Sequence, residues 1–215
     1  MTKKFKSITV FCSASGSTAS IYCEYMRKVG EMLAENGITM VFGGGDEGMM
    51  GKVLQGVLNK NGKKYAVITE QLFPLECHNP SVYTKGELIT VDTMAERKAK
   101  LIELGDAILV GPGGWGTVDE VSEYAVAVQI GNAARKPMLF LNFNNFWKPM
   151  MHMMLNMLQE GTLNNNKVDF IDFANDIDGI FPALDKIQER IEARENGTPV
   201  LAPFCACVEA PRQND

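Results

Sequence analysis

Short apolar runs rich in β-branched residues alternate with longer segments of helical periodicity over most of this 215-residue chain. Such alternation is typical of βαβ units, in which a helix joins each pair of parallel strands. The chain is therefore predicted to be an α/β protein, with a single-domain, Rossmann-like, doubly wound parallel sheet and helices on both faces. The predicted domain covers residues 1–195, and residues 196–215 are an unassigned tail. The predicted strands lie at 7–12, 38–42, 65–69, 87–91, 106–110, 138–142 and 168–171, and the predicted helices at 18–35, 48–59, 93–104, 118–130, 145–159 and 176–193.

The overall composition agrees with one globular domain and excludes several classes of protein. Hydrophobic residues make up 46% and charged residues 22% of the chain, which is enough to bury a core. The net charge is −5, so the chain lacks the excess of basic residues that binding a nucleic-acid polymer requires. No apolar run approaches the roughly 18 residues of a membrane span, and the first residues lack the apolar core of a signal peptide. We therefore expect a cytoplasmic protein that binds neither nucleic acid nor membrane.

The five cysteines and two histidines do not form a metal-binding pattern. Five is an odd number, and the spacing of Cys12, Cys23 and Cys77 matches no paired zinc knuckle. Cys205 and Cys207 lie in the proline-containing tail, where we assign them no role. We expect free thiols in a reducing compartment and no metal site.

Two glycine-rich turns each follow an apolar strand and precede a helix, at residues 43–51 and 111–117. In an open parallel sheet, ligands bind at the carboxyl ends of the strands where the strand order reverses, so both turns belong on the functional edge. Glycines let backbone N–H groups approach an anion, and a helix N-terminus adds partial positive charge. The turns therefore indicate a phosphate-binding site, although glycines can also serve only to make tight turns. Neither turn carries a dinucleotide fingerprint or a P-loop, which makes a full dinucleotide or ATP hydrolysis the weaker interpretation.

The second turn is the better phosphate site of the two. Asp46 and Glu47 place two negative charges in the first turn, where they would repel a phosphate. A long polar loop at residues 74–85 is a further candidate for contact with the ligand. The proposed phosphate ligands are all in the second turn: Gly113, Gly114, Gly116 and Thr117.

Glu120 follows Thr117 by three residues, and this spacing permits two interpretations. In a capping box, the threonine would cap the following helix and Glu120 would reach back to the cap. As a functional group, the carboxylate would lie beside a bound phosphate sugar and would orient water or stabilise an oxocarbenium-like centre.

A charged residue lies on the apolar face of the helix predicted to begin at Thr93. Arg97 falls three residues after Met94 on the apolar stripe of this helix. Its guanidinium must either reach out to solvent or face a buried anion, and its planar fork suits a phosphate or a carboxylate. Lys98 points to the neighbouring face, where it could reach the ligand or solvent. Thr93 and Glu96 have capping-box spacing, which predicts a structural role for Glu96.

These features together resemble the LONELY GUY family of cytokinin riboside 5′-monophosphate phosphoribohydrolases, whose members often carry the label lysine decarboxylase-like. The last matching segment has the family's Pro-Gly-Gly-x-Gly-Thr-x-x-Glu motif. The resemblance covers residues 7–186 and rests on four segments in family order: Phe11-Cys-Ser-Ala-Ser-Gly16, Gly43-Gly-Gly-Asp-Glu-Gly-Met-Met-Gly51, Asp92-Thr-Met-Ala-Glu-Arg-Lys98 and Pro112-Gly-Gly-Trp-Gly-Thr-Val-Asp-Glu120.

The resemblance implies hydrolysis of the bond between an N-linked base and ribose 5-phosphate. The glycines and the threonine of the second turn would hold the phosphate, while Arg97 and Glu120 would act at the ribose and the scissile bond. Lys98 and Glu76 would help to position the substrate, and Met94 is assigned to the substrate site with them. A homodimer is also implied, with the methionine-rich stretch at 150–157 as a candidate interface. Pyridoxal chemistry needs a Schiff-base lysine, and because no lysine here is singled out for that role, we expect no cofactor.

Three departures from the family pattern fall where we expect the base to bind. They are Asp46-Glu47 in the first turn, a longer loop after Glu76, and Val126-Ala127 on the helix after the second turn. The base is therefore either that of a cytokinin riboside monophosphate or that of an AMP-like purine or pyrimidine nucleotide. The alternative function is a non-catalytic carrier of a nucleotide or of molybdenum cofactor, because related sheets bind phosphorylated ligands without chemistry.

Overall fold

The computed structural model describes residues 4–198 and 200. The chain divides into two compact units, of which the first ends at Glu120 and the second begins at Val121. The strands are β1 (Ser7–Phe11), β2 (Thr39–Phe42), β3 (Lys64–Thr69), β4 (Leu88–Val91), β5 (Ala107–Val110), β6 (Met138–Leu141) and β7 (Ile171–Ala174). The helices are α1 (Ser20–Glu35), α2 (Gly48–Asn59), α3 (Phe73–Glu76), α4 (Met94–Leu104), α5 (Trp115–Gln129), α6 (Lys148–Gln159) and α7 (Ile180–Glu195).

The five strands of the first unit are hydrogen-bonded in the order β4-β3-β2-β1-β5, and every pair is parallel. The chain builds the sheet outward from β1 to β4 and then returns to place β5 on the other side of β1. The strand order therefore reverses at β1, and the crevice between the ends of β1 and β5 is the expected ligand position. The predicted α/β fold with a parallel sheet is confirmed.

Helices cover both faces of the sheet in the first unit. The Thr9 hydroxyl donates to the carbonyl oxygen of Leu101 at 2.7 Å, so this side chain of β1 faces α4. Ile8 and Val10 point to the opposite face and are also fully buried. A strand that is buried on both faces is typical of a doubly wound sheet.

The second unit has its own core around the parallel pair β6 and β7. The ring of Tyr124 meets that of Phe170 edge-on at 5.6 Å, and its hydroxyl accepts from the backbone N–H of Lys136 at 2.5 Å. The methionine-rich stretch has two sides, because Met154 is buried whereas Met153 and Met157 are exposed. Its apolar residues therefore contribute to this core and also form part of the exposed surface.

Several predicted boundaries are wrong by three or four residues. The helix predicted at 118–130 begins at Trp115, the strand predicted at 168–171 is Ile171–Ala174, and the helix predicted at 176–193 is Ile180–Glu195. The helix predicted at 145–159 begins at Lys148, after a 3₁₀ turn. The loop predicted at 74–85 contains most of α3 and a 3₁₀ turn at Pro80–Val82.

Within residues 4–198 and 200, no helix has both the length and the apolar character needed to cross a membrane. In the same residues, no group of three or more His, Cys, Asp or Glu side chains is arranged to hold a metal ion. Cys205 and Cys207, to which the sequence assigned no role, lie outside the described residues.

Candidate active site

A cavity of about 200 Å³ lies in the first unit at the reversal of strand order. One wall is formed by the residues after β1, and another by the second glycine-rich turn after β5. The structure brings six of the nine predicted site residues into this cavity, together with four residues that were not predicted from the sequence. The lining residues are Cys12, Ser13, Ala14, Met50, Glu76, Arg97, Gly114, Gly116, Thr117 and Glu120.

Arg97 projects from α4 and is held in place by backbone carbonyls. Its Nε donates to the Val67 oxygen at 3.0 Å, and its Nη2 donates to the Gly43 oxygen at 2.9 Å. The side chain is buried and does not reach out to solvent. A Cβ atom at Gly43 would lie 2.1 Å from Nη2, so the glycine is required for this approach. Nη1 points instead to Glu120, whose Oε1 is 3.8 Å away.

Glu120 is a buried carboxyl on α5 with an unusual pKa. Burial raises the pKa from 4.5 to about 7, because desolvation disfavours the charged carboxylate. The charge of Arg97 opposes this shift, and the charges of Asp119 and Glu76 add to it. Near neutral pH the carboxyl is therefore present in both protonation states and can accept or donate a proton.

Of the two interpretations of Thr117 and Glu120, the capping box does not match the position at which the helix begins. Helix α5 begins at Trp115, and the N–H of Val118 donates to the Gly114 oxygen at 3.1 Å. Because α5 begins within the glycine-rich segment, Thr117 lies inside the first turn of the helix. This leaves the side chain of Glu120 beside the cavity and Arg97, where the functional interpretation requires it.

The glycines of the second turn meet two different surroundings. A Cβ atom at Gly114 or Gly116 would have no atom within 4 Å, so both face open space. A Cβ atom at Gly113 would lie 2.1 Å from the Thr117 hydroxyl, so Gly113 packs behind the threonine and does not line the cavity. The open glycines lie at the N-terminus of a 15-residue helix, where N–H groups can bind an anion.

The first glycine-rich turn is shaped by packing within the protein. Gly48 has a φ of 55°, and a Cβ atom there would lie 2.4 Å from the Ser15 oxygen. The carboxylate of Asp46 accepts from the loop residues His78 and Asn79, at 2.8 and 2.7 Å. Asp46 is therefore engaged with the loop and not with the phosphate position predicted on the second turn.

Lys98 and Met94 are not among the residues that line the cavity. The ammonium of Lys98 donates to Asp119 at 2.9 Å. Met94 is the first residue of α4 and is 43% exposed. At the same end of α4, the Thr93 hydroxyl accepts from the N–H of Glu96 at 3.2 Å, which confirms the predicted cap.

One wall of the cavity was not predicted from the sequence, and it is formed by Cys12, Ser13, Ala14 and Met50. Three of these residues directly follow β1, the central strand at which the order reverses, and that order is the signal that could have found them. The thiol of Cys12 is fully buried, and burial raises its pKa, with the nearby charge of Glu120 acting in the same direction. These surroundings favour the neutral thiol over the thiolate at this wall of the cavity.

Known proteins are similar to this chain over most of its length. A family model described as "possible lysine decarboxylase" matches residues 50–184. The cytokinin riboside 5′-monophosphate phosphoribohydrolase LOG of Oryza sativa subsp. japonica is 33% identical over 158 residues, which cover 74% of this chain and 64% of the rice protein. The cytokinin riboside 5′-monophosphate phosphoribohydrolase of Rhodococcoides fascians is 30% identical over 181 residues, which cover 83% of this chain and 89% of that protein. The chain thus spans less than two thirds of the rice relative and most of the bacterial one.

Solved structures with low sequence identity share the fold. The molybdenum cofactor carrier protein of Chlamydomonas reinhardtii matches with a TM-score of 0.59 at 18% identity, over 85% of this chain and 98% of that one. At this level of identity the likeness concerns the fold alone, because one fold can carry many functions.

Proposed function

Because the chain belongs to the LONELY GUY family of cytokinin riboside 5′-monophosphate phosphoribohydrolases, we propose that it hydrolyses the N-glycosidic bond of a nucleoside 5′-monophosphate. The products are a free base and ribose 5-phosphate. The substrate is a cytokinin riboside monophosphate or an AMP-like nucleotide. The proposed catalytic domain extends over residues 1–195, and the active protein is proposed to be a homodimer.

One arrangement carries the proposal: an anion-binding helix N-terminus and an arginine–carboxyl pair share a single cavity. The N–H groups of the second turn, with Gly114 and Gly116 open to the cavity, bind the 5′-phosphate. Thr117 adds a hydroxyl donor, and Gly113 shapes the turn behind it. The ribose then lies between this turn and the pair formed by Arg97 and Glu120.

The reaction consumes one water molecule and needs a group that stabilises positive charge. The C1′–N bond breaks with its electron pair on the base, which takes up a proton, and positive charge develops on the ribose. Ionised Glu120 stabilises this charge, as carboxylates do in glycoside hydrolysis. Water adds to C1′ and gives up a proton, which a carboxylate with a pKa of about 7 can accept.

The remaining assigned residues support binding. Glu76 lines the cavity and accepts hydrogen bonds from sugar hydroxyls. Lys98, paired with Asp119, adds positive charge near Glu120, whose pKa it lowers. Met94 is proposed to contact the substrate from the exposed beginning of α4.

The alternative, a non-catalytic carrier of a nucleotide or of molybdenum cofactor, fits this cavity less well. A carrier needs the anion-binding turn but has no need for a buried carboxyl with a pKa near 7 beside an arginine. Resemblance to carrier proteins rests on the fold alone.

The test is to incubate the full chain with AMP and with isopentenyl-AMP and to measure free base by chromatography. We expect base release by the wild-type protein. Glu120→Gln should bind the nucleotide in calorimetry but lose turnover at least 100-fold, whereas Arg97→Ala should lose both. Glu103→Gln, an exposed change on α4, is the matched control and should retain full activity. Intact nucleotide bound by the wild-type protein, with no base released from a broad panel, would support the carrier instead.

A further inference from the structure

The loop that carries Glu76 is fastened to the first glycine-rich turn through Asp46. We call residues 73–87 the Glu76 loop. The backbone N–H of Asp46 donates to the Glu76 oxygen at 3.0 Å. Its carboxylate accepts from Nδ1 of His78 at 2.8 Å and from the backbone N–H of Asn79 at 2.7 Å. Asp46 thus binds three positions of the loop, and its side chain makes the two contacts at His78 and Asn79.

Other anchors hold the far half of the Glu76 loop. The Tyr83 hydroxyl donates to the Gly44 oxygen at 3.4 Å, and the Tyr83 ring lies 6.4 Å from that of Phe42. The Glu87 carboxylate accepts from Lys64 at 3.1 Å and from the N–H of Thr84 at 2.6 Å. These contacts lie after residue 82. Glu76 ends α3, where its N–H donates to the Leu72 oxygen at 2.9 Å, and Asp46 holds the segment that directly follows this helix.

Glu76 itself reaches the cavity. It is a lining residue, and a Cβ atom at Gly45 would lie 3.6 Å from its Oε2. Its negative charge raises the pKa of Glu120, which is consistent with two carboxyls facing one space. The position of Glu76 therefore matters to the substrate and to the electrostatics of the reacting carboxyl.

We propose that Asp46 is a positioning residue that holds the Glu76 loop so that the Glu76 carboxylate stays in the cavity and binds the ribose hydroxyls of the substrate. This inference rests on the proposed function for its substrate. Asp46 touches the loop and not the nucleotide, so it acts through Glu76. The Asp46 carboxylate is 15% exposed, so it is shielded from solvent and its charged hydrogen bonds contribute to holding the loop.

Glu47 provides a matched control in the same turn. Its side chain is exposed, and it precedes the first residue of α2 without making a side-chain cap. Glu47→Gln removes one negative charge next to Asp46 but none of the three loop contacts. An effect that is specific to Asp46 is therefore separable from a general change of charge in the turn.

The kinetic test uses AMP as substrate and a double-mutant cycle. We expect Asp46→Ala to raise KM about tenfold with kcat changed less than threefold, Glu76→Ala to do the same, and the exposed change Glu103→Gln to match the wild type. The KM of the double variant Asp46→Ala/Glu76→Ala should equal that of Glu76→Ala alone, because both changes remove the same contact between the Glu76 carboxylate and the ribose. A wild-type KM for Asp46→Ala, or losses that multiply in the double variant, would overturn the proposal.

A second measurement does not depend on activity. Amide hydrogen exchange in residues 76–82 should be at least tenfold faster in Asp46→Ala than in the wild type and unchanged in Glu47→Gln. His78→Ala, which removes one contact and leaves the first turn intact, should give a smaller increase, and it decides the question if Asp46→Ala fails to fold. Unchanged exchange contradicts the proposal at any level of activity. Faster exchange in a protein that hydrolyses no nucleotide would instead support the anchoring and reject the proposed function.

Discussion

Nη1 of Arg97 lies 3.8 Å from Oε1 of Glu120, and both side chains are buried. The distance is longer than a hydrogen bond, and the other two guanidinium nitrogens are held by the oxygens of Gly43 and Val67. The charge of Arg97 therefore lowers the pKa of Glu120 but does not cancel the increase that burial causes. A buried carboxyl kept near its protonation midpoint is typical of a functional site.

The first prediction concerns the stability of the protein as a function of pH. The pKa of Glu120 is about 7 in the folded protein against an ordinary 4.5, so the folded state binds the extra proton between these values. Stability from this group is thus fully present below pH 4.5 and is lost as pH rises through 7. The side chain of Glu120→Gln does not titrate, so the variant does not lose this stability at higher pH. Its free energy of unfolding relative to the wild type should therefore increase by about 3 kcal/mol from pH 4 to pH 8.

Urea unfolding of both proteins at the two pH values measures this change, with Glu103→Gln as control. A stability difference between Glu120→Gln and the wild type that stays constant with pH would mean that the carboxyl titrates normally.

The second prediction separates the two glycine-rich turns. Gly43→Ala would place a Cβ atom 2.1 Å from Nη2 of Arg97 and should destabilise the protein by about 2 kcal/mol while displacing the guanidinium. Gly114→Ala meets nothing within 4 Å, so its melting temperature should stay within a few degrees of the wild type. Its KM for AMP should nevertheless rise about tenfold, because the added methyl group occupies the phosphate position. Thermal melting and steady-state kinetics of the pair test this contrast, and a normal KM for Gly114→Ala would argue against a phosphate there.

The third prediction concerns the ion pair that fastens the Glu76 loop. The hydrogen bond and charge of Asp46 raise the pKa of His78 above 6.5, and the charge of Glu47 adds to this shift. The contribution of this pair to stability is therefore fully present below pH 6.5 and is lost as pH rises through the higher folded pKa. In an NMR titration, Asp46→Asn should move the His78 midpoint back toward 6.5. The signal of His152 serves as an internal reference, and an unchanged His78 midpoint would show that the pair does not form.

Helices with a regular spacing of apolar residues in the sequence could be predicted closely. Helix α2 covers Gly48–Asn59, as its apolar periodicity indicated, and α4 begins after the Thr93 cap and ends before Gly105. The start of α5 was missed because glycines favour no single conformation, and only tertiary contacts decide where the helix begins. The strand predicted at 168–171 is displaced because Asp169 turns toward arginines and β7 pairs only from Ile171.

The site was predictable in its chemistry more than in its geometry. The sequence placed Arg97 on an apolar stripe and left open whether its guanidinium reaches solvent or a buried anion. It did not indicate that the carbonyls of Gly43, after β2, and Val67, within β3, would hold the side chain. Asp46 was read as a charge facing the ligand because its partner, His78, is 32 residues away in the chain. Such long-range pairings depend on the path of a loop, which local patterns do not encode.

The fourth prediction tests the core of the second unit. Asp169 is fully buried, and its carboxylate lies 3.4 Å from Arg135 and 3.0 Å from Arg194. Asp169→Asn leaves these arginines without their counter-charge and should destabilise the protein by about 3 kcal/mol. Asp178→Asn, at an exposed position, is the control and should change stability by less than about 0.5 kcal/mol. Denaturant unfolding measures both, and equal stabilities of the two variants would contradict the structural role of Asp169.

The most direct test of the proposed site is a crystal structure of Glu120→Gln soaked with AMP. We expect the 5′-phosphate within about 3 Å of the backbone N–H groups of residues 114–117, with the ribose between Arg97 and position 120. AMP bound elsewhere, or a cavity between Arg97 and Thr117 without nucleotide at a saturating concentration, would contradict it.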